Sequence, residues 1–188
     1  MKNLLIALSF FFISLYGYSQ APSVEKSIFN VQLGVPGIFA SNEARLSNSI
    51  ALRSEIGLEG GIFSSYYNDF GFLMTPVITL EPRWYYNLKK RNTKQKRIDH
   101  NSGNYVSLNT SYRPDWFVIS NEDNLSVLSS ISVIPTWGIR RNIGKNFNYE
   151  TGIGLGVIHY LPDSNDYYYG NDTEAAINLH LRIGYTFK

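Results

Sequence analysis

A chain of 188 residues is long enough for one domain with its own core. It has no cysteine, which excludes disulfides, a thiol nucleophile and a lipid-bearing cysteine behind a leader. A net charge of +2 is too small to make a general case for nucleic-acid binding.

The first element is a leader. Lys2 supplies a positive start, Leu4 to Leu15 a short apolar run, and Gly17-Tyr18-Ser19 a small-residue exit. The apolar run falls short of the roughly 20 residues that a membrane-crossing helix needs. Residues 1–19 therefore read as a cleaved secretory signal peptide, with Gln20 as the first mature residue. Residues 20–188 then form a single exported domain.

From there period-two alternation takes over from helical periodicity. It predicts strands at 28–35, 38–46, 50–63, 74–87, 104–117, 126–140, 147–159 and 174–187. Most exceed the roughly 5–6 residues of an ordinary strand, which suits a barrel. Tight connections at Ser47–Ser49 and Ile143–Lys145 alternate with longer ones at 64–73, 118–125 and 161–172. Short turns at one end and longer loops at the other are the pattern of an outer-membrane barrel. The 88–103 link is long at the end where the others are short. At Pro36-Gly37 the apolar phase switches from odd positions (Phe29, Val31, Leu33) to even ones (Ile38, Ala40, Ala44). A hairpin turn there gives eight strands, and a β-bulge gives seven. We adopt eight, because both termini of a barrel are expected on the periplasmic side and this requires an even count.

The two faces of these strands differ in kind. One carries residues such as Ile56, Leu80, Trp84, Val133, Trp137, Ile153 and Leu179, and no charged residue. The other carries Glu43, Arg45, Arg53, Glu55, Glu59, Glu81, Arg83, Arg113, Asp115, Arg140, Glu150, His180 and Arg182. Six carboxylates accompany six guanidiniums and no lysine, which suits planar, bidentate pairing. Gly57, Gly61, Gly152, Gly154, Gly156 and Gly184 lie among them and leave room for arginine to cross the interior. An eight-stranded barrel is just wide enough for side chains to fill, and an unpaired charge inside it is costly. Hydrocarbon offers no partner to a charge or an open backbone edge. The expectation is an all-β fold: an eight-stranded antiparallel transmembrane β-barrel, an up-and-down meander with lipid outside and a polar network inside. Aromatics gather at both strand ends. Trp84, Tyr85, Tyr86, Tyr105, Phe147, Tyr149, Tyr185 and Phe187 mark one, and Tyr66, Tyr67, Phe72, Trp116, Phe117, Tyr160 and Tyr167–Tyr169 the other. They predict two interfacial girdles.

Lys89, Lys90, Arg91, Lys94, Lys96 and Arg97 form a basic periplasmic turn. It reads as a solvated turn or as a contact for lipid headgroups or an anionic periplasmic partner. His100, His159 and His180 lack metal-ligand spacing, so no metal or other cofactor is expected. His159, Asp163 and Ser164 are the only set resembling a nucleophile with its base, and their spacing is unsuitable, so the chain reads as a non-enzyme. "GIGLG" at 152–156 does not meet the dinucleotide pattern. The 64–73 and 161–172 loops carry Tyr, Asn and Asp, an adaptable contact chemistry. Asp163, Asp166 and Asp172 offer a loose Ca²⁺ alternative to a plain solvated loop.

Ser19-Gln20 at the signal exit, EARLSNSIALRSEIGL (Glu43–Leu58), LEPRWYYNLKKR (Leu80–Arg91), NSGNYVSL (Asn101–Leu108) and the closing LRIGYTF (Leu181–Phe187) carry a resemblance. The mature chain resembles the small outer-membrane β-barrel proteins of Bacteroidetes-type bacteria, in the broad class of OmpA-like and OmpW-like barrels. The resemblance implies a monomer in the Gram-negative outer membrane, surrounded by outer-membrane lipid. It also implies that barrel-assembly machinery reads Tyr185 and Phe187 as an assembly signal, although such chains often end on the aromatic and here Lys188 follows. It is nearly silent on activity. The expected role is a structural or adhesive scaffold that displays loops. A narrow porin-like pore or small-solute channel is the alternative, with a lipid-modifying barrel enzyme or a soluble lipocalin-like binder behind it.

Overall fold

Alternating side chains along extended backbone give each strand two unlike faces, and a curved sheet must turn one of them inward. A computed structural model describes residues 22–35, 37–64, 70–122, 125–161 and 172–187. The predicted leader lies outside these residues. Nine strands form one antiparallel sheet: β1 (Ser27–Gly34), β2 (Gly37–Arg45), β3 (Ile50–Ser64), β4 (Phe70–Trp84), β5 (Asn104–Arg113), β6 (Ile119–Ser120), β7 (Ser129–Ile143), β8 (Phe147–Leu161) and β9 (Thr173–Phe187). From β1 to β5 each strand pairs with the next, β5 pairs β7, β7 pairs β8, β8 pairs β9, and β1 pairs β9, so the sheet runs round in a ring. β6 has two residues and lies only against Leu73 and Met74 of β4.

The phase switch near Pro36 is a chain reversal. Gly34 pairs with Gly37, and β1 and β2 run antiparallel from there; Pro36 itself lies outside the described residues. Gly37 has φ +138°, and a Cβ on it would fall 2.5 Å from the Leu58 carbonyl oxygen, so only glycine fits.

Several boundaries differ from the alternation. β4 starts at Phe70 rather than 74 and stops at Trp84, because the Tyr85 amide turns aside to the Ser49 carbonyl at 2.8 Å. β5 stops at Arg113 rather than 117, since Pro114 has no N–H to continue the ladder. β7 runs on to Ile143, past the predicted end at 140.

Exposure alternates along the strands as the phases require. Leu155, Ile177 and Leu179 are 70–72% exposed on the outer face, while Glu43, Arg140 and Glu150 are fully buried on the inner one. Outward polar residues within the strands include Asn42, Ser54, Thr110 and Thr151, all uncharged. Arg141, near the end of β7, breaks the pattern: it follows Trp137 and Ile139 in the outward phase.

The link expected at 88–103 spans 85–103 and folds back into one end of the ring. It contains a six-residue helix, α1 (Leu88–Thr93), and a 3₁₀ turn at Asp99–Asn101. Tyr85 and Leu88 pack with Val24, Ala51 and Tyr105 in a small buried apolar cluster. Asn101 Nδ2 donates to Glu43 Oε2 of β2 at 2.8 Å, and Arg140 Nε of β7 donates to the His100 carbonyl at 3.0 Å. The Glu25 amide donates to Asn101 Oδ1 at 2.8 Å, so the segment before β1 is tied to the same plug.

Candidate functional sites: an interior charge network and a basic pocket

Register alone brings opposite charges together. Glu43 faces Arg53 across β2–β3, Arg53 faces Glu81 across β3–β4, Arg140 faces Glu150 across β7–β8, and Glu150 faces Arg182 across β8–β9. All of these point inward, so the side chains then meet across the ring. Glu150 accepts from Arg53 Nη1 (2.9 and 3.1 Å), Arg83 Nη2 (2.7 Å) and Arg140 Nη1 (3.2 Å). Glu43 lies 3.2, 3.4 and 4.0 Å from Arg83, Arg140 and Arg53. Two carboxylates thus share the same three guanidiniums.

Further groups complete the set. Glu81 accepts from Arg83 Nη2 at 2.7 Å and Ser107 Oγ at 2.6 Å. Glu55 is paired with Arg53 and with Arg182 Nη1, the latter at 2.8 and 2.9 Å. Asn30 Oδ1 and Gln32 Oε1 accept from Arg140 (2.6 Å) and Arg53 (2.5 Å). Nearer the other end, Arg113 Nε donates to Glu59 at 2.5 Å, and both are partly exposed. Each buried ion would cost several kcal/mol alone, so mutual pairing with extra hydrogen bonds is the condition for such an interior.

Two predicted members stand apart. Asp115 is exposed and lies past the end of β5, where its amide donates to Ser129 Oγ at 3.2 Å; Pro114 has broken the phase that placed it inside. Arg45 is half-buried at the end of β2, makes no ion pair among the described residues, and leaves its Nε without a partner. His180 belongs to the network: its Nε2 lies 3.3 Å from Tyr105 Oη and 3.6 Å from Glu150 Oε1, and its Nδ1 lies 3.2 Å from Asn178 Oδ1.

Tyr85 and Tyr105 are not girdle residues. Both are buried inside, where Tyr85 Oη donates to Glu43 Oε2 at 2.9 Å and Tyr105 Oη to Glu150 Oε1 at 3.1 Å. Their phase continues the inward series of Glu81 and Arg83, and of Ser107 and Ser111. The glycines clear space for rings and amides more than for arginines. A Cβ at Gly152 would lie 2.4 Å from the His180 ring, at Gly57 2.5 Å from Phe39, and at Gly184 2.4 Å from Gln32.

Sequence reasoning missed Asn30, Gln32, Asn148 and Thr186, which join the network beside Arg140 and Arg53. Their signal was present, as inward-phase polar residues of β1, β8 and β9. Asn101 gave no such signal, because it reaches the network from the link.

The basic turn divides. Lys90, Arg91, Lys94 and Lys96 line a cavity of about 440 Å³ with Tyr86, Asn87, Asn104 and Arg141. Lys89 is exposed elsewhere on α1. Arg97 turns away to Asp99 (2.9 Å) and to the Gly144 carbonyl (2.6 Å). Tyr185 and Phe187 face outward with rings 5.1 Å apart, and Phe147 stacks edge-on to Tyr185 at 5.4 Å. Their strand, β9, pairs with β1 through Val31↔Tyr185 and Phe29↔Phe187; Lys188 lies outside the described residues.

Exposed His159 contacts Thr173 Oγ1 at 2.9 Å; Asp163, Ser164 and Asp166 lie outside the described residues, as does most of the 161–172 loop. Among the described residues no group of three His, Cys, Asp or Glu is placed to hold a metal ion. No protein-family model matches the chain, and no curated protein matches it.

Proposed function

We propose that the protein is an eight-stranded transmembrane β-barrel of a Gram-negative outer membrane, monomeric, acting as a structural or adhesive scaffold that displays loops. One observation carries the reading: around a ring of paired strands, large apolar side chains face outward while the ion-paired charges face inward. Water-soluble proteins arrange their faces the other way, and lipid rewards this one. In this reading β6 is an accessory to the ring of eight, residues 1–19 are the removed leader, and Tyr185 and Phe187 are the assembly signal. The resemblance to OmpA-like and OmpW-like barrels of Bacteroidetes points the same way.

A scaffold is favoured over a pore. Buried arginines and glutamates fill the interior at one end, and the 85–103 link packs beneath them. Heat-modifiable gel migration of the outer-membrane fraction tests the barrel: the unboiled band should run faster. Planar-bilayer recording tests the role. Steady conductance from the purified protein would replace the scaffold by a channel.

A further inference from the structure

The pocket beside α1 gathers Lys90, Arg91, Lys94, Lys96 and Arg141 with no carboxylate in its lining. None of these five makes an ion pair among the described residues, and the neighbouring acid, Asp99, is occupied by Arg97. Such a concentration of one sign is unfavourable unless an anion answers it.

The guanidiniums are held in place and keep donors to spare. Arg141 Nη1 donates to the carbonyls of Gly103 and Arg140, both at 2.7 Å, and Nη2 to Asn104 Oδ1 at 2.5 Å. Arg91 donates through Nε and Nη2 to the Arg97 carbonyl at 3.1 and 2.8 Å. All these partners are neutral acceptors, and each arginine retains further N–H groups. Partial burial pulls the Arg91 guanidinium down from its ordinary value, though arginine stays cationic in proteins. Tyr86 Oη accepts from Trp137 Nε1 at 2.8 Å, so its own hydrogen remains for an acceptor in the pocket.

The location selects the anion. Tyr86 packs edge-on against Trp84 at 6.0 Å, and both, with Trp137, are exposed on the outward face. Arg141 follows Trp137 in the same outward phase. The pocket therefore opens where the outward aromatics meet the polar end of the strands. A fork of arginine donors fits phosphate oxygens, and aromatic rings of this kind sit at headgroup level. A volume of about 440 Å³ is in the range of small-molecule sites and exceeds a single anion.

We propose that this pocket binds the phosphate of an anionic phospholipid headgroup, with Arg91 and Arg141 as the fork, Lys90 and Lys94 as flanking charges, and the acyl chains passing over Trp84 and Trp137. The proposal rests on the membrane-barrel reading. The group bound is a phosphate ester, and the lipid rather than free phosphate is its source.

The test is native mass spectrometry of the full mature protein released from bilayers of equal phosphatidylglycerol and phosphatidylcholine. The wild type should retain phosphatidylglycerol with about tenfold preference. The pairs Arg91→Gln/Arg141→Gln and Lys90→Gln/Lys94→Gln should each bring the two lipids close to parity. The second pair is exposed, so its effect does not depend on folding. Lys26→Gln/Lys145→Gln removes the same charge outside the pocket and should keep the preference. Equal loss in that control, or no preference in the wild type, overturns the pocket. Loss of bound lipid to millimolar inorganic phosphate overturns the lipid as source. Gel heat-shift on the same samples separates the two levels: a shifting band without lipid preference defeats the pocket alone, whereas a protein that never inserts defeats the membrane reading and the lipid with it.

Discussion

Tyr105 and Gly138 are cross-strand partners, and a Cβ on Gly138 would fall 2.3 Å from the Tyr105 ring. The missing side chain is what lets the phenol lie flat inside the ring and reach Glu150. Gly138→Ala should therefore overpack the interior and cost about 1–3 kcal/mol. Tyr105→Phe keeps the ring, including its contact with the Arg83 guanidinium at 4.3 Å, and should cost only about 1 kcal/mol, because Glu150 retains its arginines. Urea titration of the folded gel band measures both, and an alanine variant as stable as wild type would refute the clearance argument.

Glu150 and Glu43 each answer three arginines, so removing either charge leaves an uncompensated cluster. Glu150→Gln should lose about 3–5 kcal/mol of stability. Asp99→Asn, which breaks only the exposed pair with Arg97, should lose no more than about 1 kcal/mol. Comparable losses in the two variants would show that burial of the network has little energetic weight.

Leu179 is 72% exposed near the middle of β9. On a water-facing surface an arginine there would be almost neutral. Facing hydrocarbon at mid-depth, Leu179→Arg should cost about 2–4 kcal/mol. Folded yield after reconstitution into phosphatidylcholine vesicles decides between the two.

Asp99 predicts a local pH response. Partial burial raises its carboxyl, but hydrogen bonds from Arg97 and the backbone outweigh this and hold it below the ordinary carboxylate value. A depressed pKa adds stability above the unfolded value and loses it as pH falls through the folded one. Anchoring of the 3₁₀ turn at Asp99–Asn101 should thus weaken only in that acid range, and not in Asp99→Asn. Amide exchange at Ser102, whose N–H donates to the Asp99 carbonyl at 3.1 Å, reports it.

Alternation was sufficient to read the faces of the long strands, because period two leaves each residue only one of two sides. It was insufficient where a strand's end had to be known first. Asp115 was placed inside by extending β5 through Pro114, and Arg141 escaped notice because β7 was stopped one residue before it. Tyr85 and Tyr105 were misassigned for a different reason: a tyrosine suits an interface girdle and a polar interior equally well, and only phase separates the two. The plug was illegible altogether. Asn101 and the His100 carbonyl reach Glu43 and Arg140 from a link with no periodicity, through backbone at positive φ in both residues (48° and 60°).

The pairing of β1 with β9 has a consequence for how the molecule comes into being. Every other neighbouring pair in the ring is separated by a turn or a loop, but this one joins the two extremes of the sheet. Until β9 is in hand, β1 and β8 each present a row of unanswered amides and carbonyls, and Glu55 lacks Arg182. An incomplete copy is therefore an adhesive one, prone to borrow a strand from a neighbour. Completeness itself becomes the checkpoint, since the seam can be sealed only when the ninth strand reaches the first.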